Sequence, residues 1–383
     1  MKSSFFKFAC LSLAMPLLSF AATAQPSRHA TKIHGDKSED MTVEHPMITP
    51  SVMPVIEHGY NVFVTADFIY WTGRTDNLDY AQTGTALVSS RAQFNGTTNA
   101  NATSEEGSQL HPHHKMSPGF KVGIGCDLNH DGWDTYFHYT WLRNSASSTE
   151  SFTTAAVSLW DYAPISVYSK STTSINAANA AWKLHFNTLD WELGREFYIS
   201  PRLLLRPHFG LKGSWQTQHN NVDFSALTDT AVSGAVATGS YNMTQKQSFW
   251  GLGLRSGLNT SWKFTRNWSI FGDISLAALW SHFTTHRTDT LTQTSTSRSI
   301  ENFTNLEAIH VRRLTHTITP VIEWDLGVRW DYWFSDEDYR FRVQAAWEEQ
   351  VWFDQNQFLQ LGATNRTGSL NLQGLTLDFR FDF

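Results

Sequence analysis

The last nine residues constrain this chain more than any other stretch. Leu375, Leu377, Phe379, Phe381 and Phe383 alternate without a break with Thr376, Asp378, Arg380 and Asp382. A period of two over that length is a β-strand with one apolar face and one charged face. Beyond residue 24 no stretch approaches the run of uncharged apolar residues that a transmembrane helix needs. Yet the chain carries 16 Trp, 11 Tyr and 26 Phe at only 41% hydrophobic content. It needs an architecture that shows aromatics to an apolar medium while half of every strand stays polar. A closed antiparallel transmembrane barrel does this, and it pairs every backbone group without water.

The alternation recurs upstream. Phe120, Val122, Ile124, Cys126 and Leu128 share one face, and after a tight Asn129–Gly132 turn Trp133–Trp141 alternates again. The same pattern predicts strands over Gly59–Trp71, Lys183–Leu193, Leu203–Trp215, Ser248–Trp262, Trp268–Trp280, Thr317–Trp333, Tyr339–Trp352 and Leu370–Phe383. That makes an all-β, up-and-down barrel of ten strands, or twelve if Ala155–Ser169 hides a further hairpin despite Pro164. The connections Gly73–Ser117, Asn144–Ala181, Gln216–Gln247, Ser281–Arg312 and Phe353–Ser369 are long or moderate and rich in polar and small residues. They alternate with short ones, as extracellular loops do with periplasmic turns. Trp262, Trp268, Trp330 and Trp333 near the turns, and Trp71, Trp141, Trp182, Trp215, Trp250, Trp280 and Trp352 near the loops, are expected to form two interfacial girdles.

Lys2 and Lys7, an apolar run over Phe8–Phe20 and Ala22-Thr23-Ala24 form an expected cleavable export signal at 1–24. Residues 25–58, with four prolines and no sustained period, are expected to be a flexible periplasmic extension, and 59–383 the barrel in a bacterial outer membrane. The formal charge of −6 argues against a nucleic-acid partner. After cleavage Cys126 is the one cysteine, on an apolar strand face, which excludes an intramolecular disulfide.

No catalytic set stands out. The chain holds no Asp-x-His pair, its one Asp-x-Asp, Asp336-Glu-Asp338, falls in an expected periplasmic turn, and no Ser/His spacing singles out a nucleophile. His111-Pro-His113-His114, with Glu105 and Glu106 nearby, is the one stretch with metal-ligand residue types. It reads more simply as a polar loop, so no metal and no cofactor are expected.

Asn187–Phe197 (NTLDWELGREF) and Leu203–Gly213 (LLLRPHFGLKG), together with Tyr60–Trp71 and Trp324–Trp330, resemble the Legionella-type major outer membrane proteins, a family also found in chlamydia-related amoebal symbionts. The resemblance covers most of the barrel. It implies an outer-membrane pore for small hydrophilic solutes or ions. Members often carry several cysteines for cross-linking, and this chain keeps only Cys126. A terminal Phe383 also resembles the signal read by the barrel assembly machinery, so that machinery and outer-membrane lipid are expected partners.

If the alternation holds, the lumen is lined by Lys121, Asp134, His138, Arg206, His208, Lys212, Arg255, Asp273, Glu323, Asp325, Arg329, Asp331, Arg340 and Arg342, with Asp127 and Glu348 beside them. Rings of fixed charge select ions in pores. The same residues could equally form a salt-bridged plug. Ten strands sit close to the size at which side chains fill a barrel, although inward glycines at 123, 125, 210, 251, 253, 257 and 327 are expected to free space. The other reading is a surface adhesin or structural barrel that meets host ligands through its long loops.

Overall fold

The structure, a computed structural model, describes residues 61–83, 107–128, 132–160, 175–230, 236–295, 302–334, 339–360 and 367–383. The expected export signal and periplasmic extension lie outside the described residues. Ten long strands run in chain order: β1 Val62–Thr75, β2 Met116–Asp127, β3 Trp133–Ser158, β4 Ile175–Arg195 and β5 Leu203–Thr230. β6 Val236–Lys263, β7 Trp268–Ser295, β8 Phe303–Phe334, β9 Tyr339–Asn356 and β10 Gly368–Asp382 follow. Each pairs antiparallel with its neighbours in sequence, and β10 pairs back onto β1, so the ring closes. At the seam the Phe383 amide donates to the Val62 carbonyl at 3.0 Å, and the Val62 amide donates back at 3.3 Å.

Ten strands complete the ring, which corrects the twelve-strand alternative. Ala155–Ser158 is the end of β3, and 161–174 lie outside the described residues.

The outer face explains why the wall sits in lipid. Leu252 and Leu254 on β6, Ile270, Ile274 and Leu276 on β7, and Ile318, Leu326 and Val328 on β8 point outward and are exposed. Trp215, Trp250 and Trp280 bound this band on one side, and Trp262, Trp268 and Tyr332 bound it on the other. Trp250 and Trp262 are twelve positions apart on β6. For strands tilted by about 40° that spans about 30 Å, the thickness of a hydrocarbon layer.

Four of the expected girdle tryptophans are not in it. Trp71, Trp182 and Trp352 are completely buried inside the barrel. Trp333 also turns inward, with the Arg340 guanidinium 5.2 Å from its ring centroid.

The larger correction concerns the loops. Most of Asn144–Ala181, Gln216–Gln247 and Ser281–Arg312 is strand: β5, β6 and β7 are 28 residues each and β8 is 32. The wall therefore continues about 35 Å beyond Trp250 on the extracellular side. At the opposite end the connections stay short, and Gly132 closes the turn into β3 at φ +71°. An added Cβ there faces the Glu196 carbonyl at 3.1 Å. Gly132→Ala is expected to cost about 1 kcal/mol or more, measurable as a lower denaturant midpoint of the refolded barrel.

Candidate functional site in the barrel interior

The interior is built in two layers. At the level of the lipid band the inward side chains are charged and surround a cavity of about 220 Å³. Twelve of the fourteen residues named from the sequence line it: Lys121, Asp134, His138, Arg206, His208, Lys212, Arg255, Asp273, Glu323, Asp325, Arg329 and Arg342. Asp331 and Arg340 lie closer to the periplasmic end, where Asp331 accepts from Arg342 at 2.8 Å and Arg340 is bridged to Asp382 at 2.8 Å. Glu348 lines the cavity, while Asp127 sits at the end of β2.

These groups do not stand free. Lys212 bridges Asp190 at 2.8 Å and Glu323 at 2.7 Å, which ties β5 to β4 and, across the lumen, to β8. Glu323 pairs with Arg255 at 2.9 Å, Arg255 with Glu192, and Glu192 with Arg206 at 3.1 Å. Arg206 then donates through Nε to Asp134 at 2.8 Å. His138 closes one end, 3.1 Å from Asp190. The result is a seven-residue chain of alternating sign, Asp190–Lys212–Glu323–Arg255–Glu192–Arg206–Asp134. Buried charges persist only when paired in this way. Separately, Lys121 holds both oxygens of Glu348 at 2.6 Å. Asp67, Asp273 and Asp325 each keep one carboxyl oxygen without a hydrogen-bond partner among the described residues.

The inward glycines do not leave open space. An added Cβ at Gly123 would meet Tyr136, at Gly125 Phe63 and at Gly257 His208, each closer than 3.0 Å. These larger side chains already occupy the room the glycines vacate.

Above the charged layer the barrel is filled by an apolar core. Trp71, Trp182, Phe186, Phe249, Phe283 and Trp352 meet there, with Phe249 and Phe283 at 4.9 Å and Phe186 edge-on to Trp352 at 5.5 Å. Two lysines join the layers: Lys121 lies 4.9 Å from the Trp71 ring and Lys212 5.7 Å from that of Trp352.

Into this core dip the end of β9 and the segment that follows it, which the sequence assigned to an extracellular loop. Asp354 takes φ +51°, a left-handed turn that an Asp tolerates. Gln355, Asn356, Gln357, Phe358 and Leu359 are then buried inside the barrel. Glutamines on the wall hold this strap. Gln247 donates to the Gln355 carbonyl and accepts from the Gln357 amide, both at 2.7 Å. Gln245 accepts from the Leu359 amide at 2.7 Å and donates to the Leu359 carbonyl at 3.0 Å. Arg287, completely buried, donates to the carbonyls of Leu359 at 2.7 Å and Trp160 at 2.6 Å, and pairs with Asp289. Burial works against its charge, but the bond to Asp289 outweighs that and moves its pKa up. Burial, with Asp289 adjacent, also pushes the Tyr241 phenol well up, so it stays protonated and donates to Asp289.

Sequence reasoning missed Asp190, Glu192, Asp67 and Asp378 as lining. Strand parity signals all four: Asp190 and Glu192 alternate with outward Leu189 and Trp191, and Asp67 with outward Phe68. Cys126 is half-buried on the outer face beside Val62 and Thr135. His111 and His113 are 6.4 Å apart, His114 packs edge-on against Trp182, and Glu105 and Glu106 lie outside the described residues. Among the described residues no cluster has metal-binding composition.

No curated protein matches the chain. Among solved structures it is similar to the outer membrane protease OmpT of Escherichia coli, at 12% identity over 86% of this chain and 100% of that one, with a TM-score of 0.36. It is also similar to the toluene transporter TodX of Pseudomonas putida (8%, 85% and 90%, 0.24). A third is Ail, the attachment invasion locus protein of Yersinia pestis (8%, 84% and 99%, 0.24). At these values the fold rests on the strand pairing above, not on the likenesses. The model of the Legionella pneumophila major outer membrane protein precursor, in contrast, matches residues 52–383, the whole closed ring. The chain belongs to that outer membrane protein family.

Proposed function

We propose that this outer-membrane β-barrel is a narrow pore for small ions and hydrophilic solutes, held shut from within by the strap at the end of β9. The observation that carries this reading is the contrast between the two layers. The lipid-level lumen keeps a cavity lined by charges of both signs, and the strap above it hangs on amide hydrogen bonds. Such bonds exchange with water at small net cost. Transport is passive, with no chemistry and no cofactor. The chain is exported by residues 1–24, and Phe383, at the closing seam, is the handle for the assembly machinery.

Phe358→Ser combined with Leu359→Ser removes the two apolar anchors of the strap and leaves the charged layer untouched. Vesicles carrying this variant are expected to swell in a small neutral sugar several times faster than wild-type vesicles. Equal, background swelling by two correctly folded proteins favours the other reading, a sealed barrel that acts through its extracellular surface.

A further inference from the structure

Outside the barrel, on the extracellular side of the tryptophan ring, cross-strand pairing lines up basic residues from one strand to the next. Lys183 on β4 sits directly opposite His219 on β5, His219 opposite Lys246 on β6, Lys246 opposite His286 on β7, and His286 opposite Arg312 on β8. All five point outward, and Lys183, Lys246, His286 and Arg312 are exposed. Below this row Arg143 faces His185 across β3 and β4, with its guanidinium 4.8 Å from the Trp141 ring. The His282 and His316 rings meet at 4.5 Å, tilted by 54°, across β7 and β8, beside Trp250. Among the described residues none of Lys183, Lys246 and Arg312 has a carboxylate partner. Along β5 the next outward acid is Asp223, four positions beyond His219 and already bound by Asn242.

Each Lys or Arg of the row faces an imidazole and the next fixed cation stands two strands away, so the row gathers positive charge that no carboxylate among the described residues offsets. The imidazoles register the crowding. Burial lowers the pKa of His219, and Lys246, His185 and Lys183 lower it further. Burial and then Arg143 and Lys183 do the same to His185. Because the strands are tilted, the row climbs by about 3 Å per strand as it rounds the wall. Measured from the Trp141–Asn187–Trp215–Trp250 register, Arg143 and His185 stand two positions out, about 5 Å, Lys183, His219 and Lys246 four positions out, about 10 Å, and His286 six positions beyond Trp280, about 15 Å. A compact phosphoglycerol headgroup reaches only its lower end, whereas a phosphorylated saccharide headgroup covers its whole length.

We propose that this inclined basic stripe on β3–β8 binds the phosphorylated saccharide headgroup of a glycolipid in the outer leaflet. Arg143, His185 and Lys183 take the groups nearest the acyl chains, and Lys246 and Arg312 take anionic groups farther out.

The test uses the refolded barrel in detergent, titrated with a bis-phosphorylated lipid A carrying an inner-core saccharide and read by native mass spectrometry. Lys183→Gln, Lys246→Gln and Arg312→Gln together are expected to weaken binding by about a hundredfold, from about 1 kcal/mol per surface cation. All three side chains are exposed, so heat-modifiable mobility reports that the variant still folds. Arg74→Gln with Lys115→Gln, two exposed cations off the stripe, is expected to bind like wild type. Equal weakening by both variants reduces the effect to overall charge and overturns the proposal. So does equal affinity for phosphatidylglycerol, or full competition by inorganic phosphate.

Discussion

Replacing Arg287 with methionine is expected to destabilise the extracellular half of the barrel by about 3–5 kcal/mol, because it leaves Asp289 as an uncompensated buried charge. The guanidinium also supplies the donors to Trp160 and Leu359, so two inward segments lose their anchor together. Denaturant titration followed by tryptophan fluorescence should show an early transition confined to the upper core, with the charged layer unfolding near its wild-type midpoint. Adding Asp289→Leu removes the stranded carboxylate, and the double variant is expected to recover much of the loss. Failure to recover would place the cost in the strap contacts and not in the ion pair.

Ile274→Arg tests the membrane placement. Ile274 is 52% exposed on the outer face of β7, six positions from Trp268 and six from Trp280. An arginine at that midpoint is expected to cost about 2–4 kcal/mol of folding free energy into lipid vesicles. Thr284→Arg, on the same strand and face but beyond the tryptophans, should cost about 0–1 kcal/mol. Equal effects would contradict the lipid band drawn here.

The lipid-level part of each strand was legible because lipid outside and charge inside give the period of two full contrast. Ile270, Ile274 and Leu276 against Asp273 and Ser275 leave one reading of the register. Above the girdle that contrast disappears. On β5, Thr217 and Asn221 face water while Gln216, Gln218 and Asn220 face the interior. Polar residues stand on both faces, so an ordered wall reads as a polar loop. The three buried tryptophans were misplaced for a related reason. A tryptophan near a strand end suggests an interface, but Trp71 shares parity with inward Asp67, and Trp352 with inward Glu348 and Gln350. Parity was the better guide than position. For the charged layer the facing residues could be read from the sequence, but their pairing could not. That Lys212 reaches Glu323 across the lumen depends on barrel diameter, which no local pattern encodes. The inward strap was equally hidden, since Gln355–Gln360 mixes amides with only two apolar residues, as an exposed loop does.

Single-channel recording in a planar bilayer tests most directly whether the strap closes a narrow pore. Refolded wild type is expected to give rare, brief steps. The Phe358→Ser/Leu359→Ser protein should give long-lived steps of the same amplitude that scale with salt concentration. Silence from both proteins, with heat-modifiable mobility confirming that each is folded, would contradict the pore and leave a sealed surface barrel.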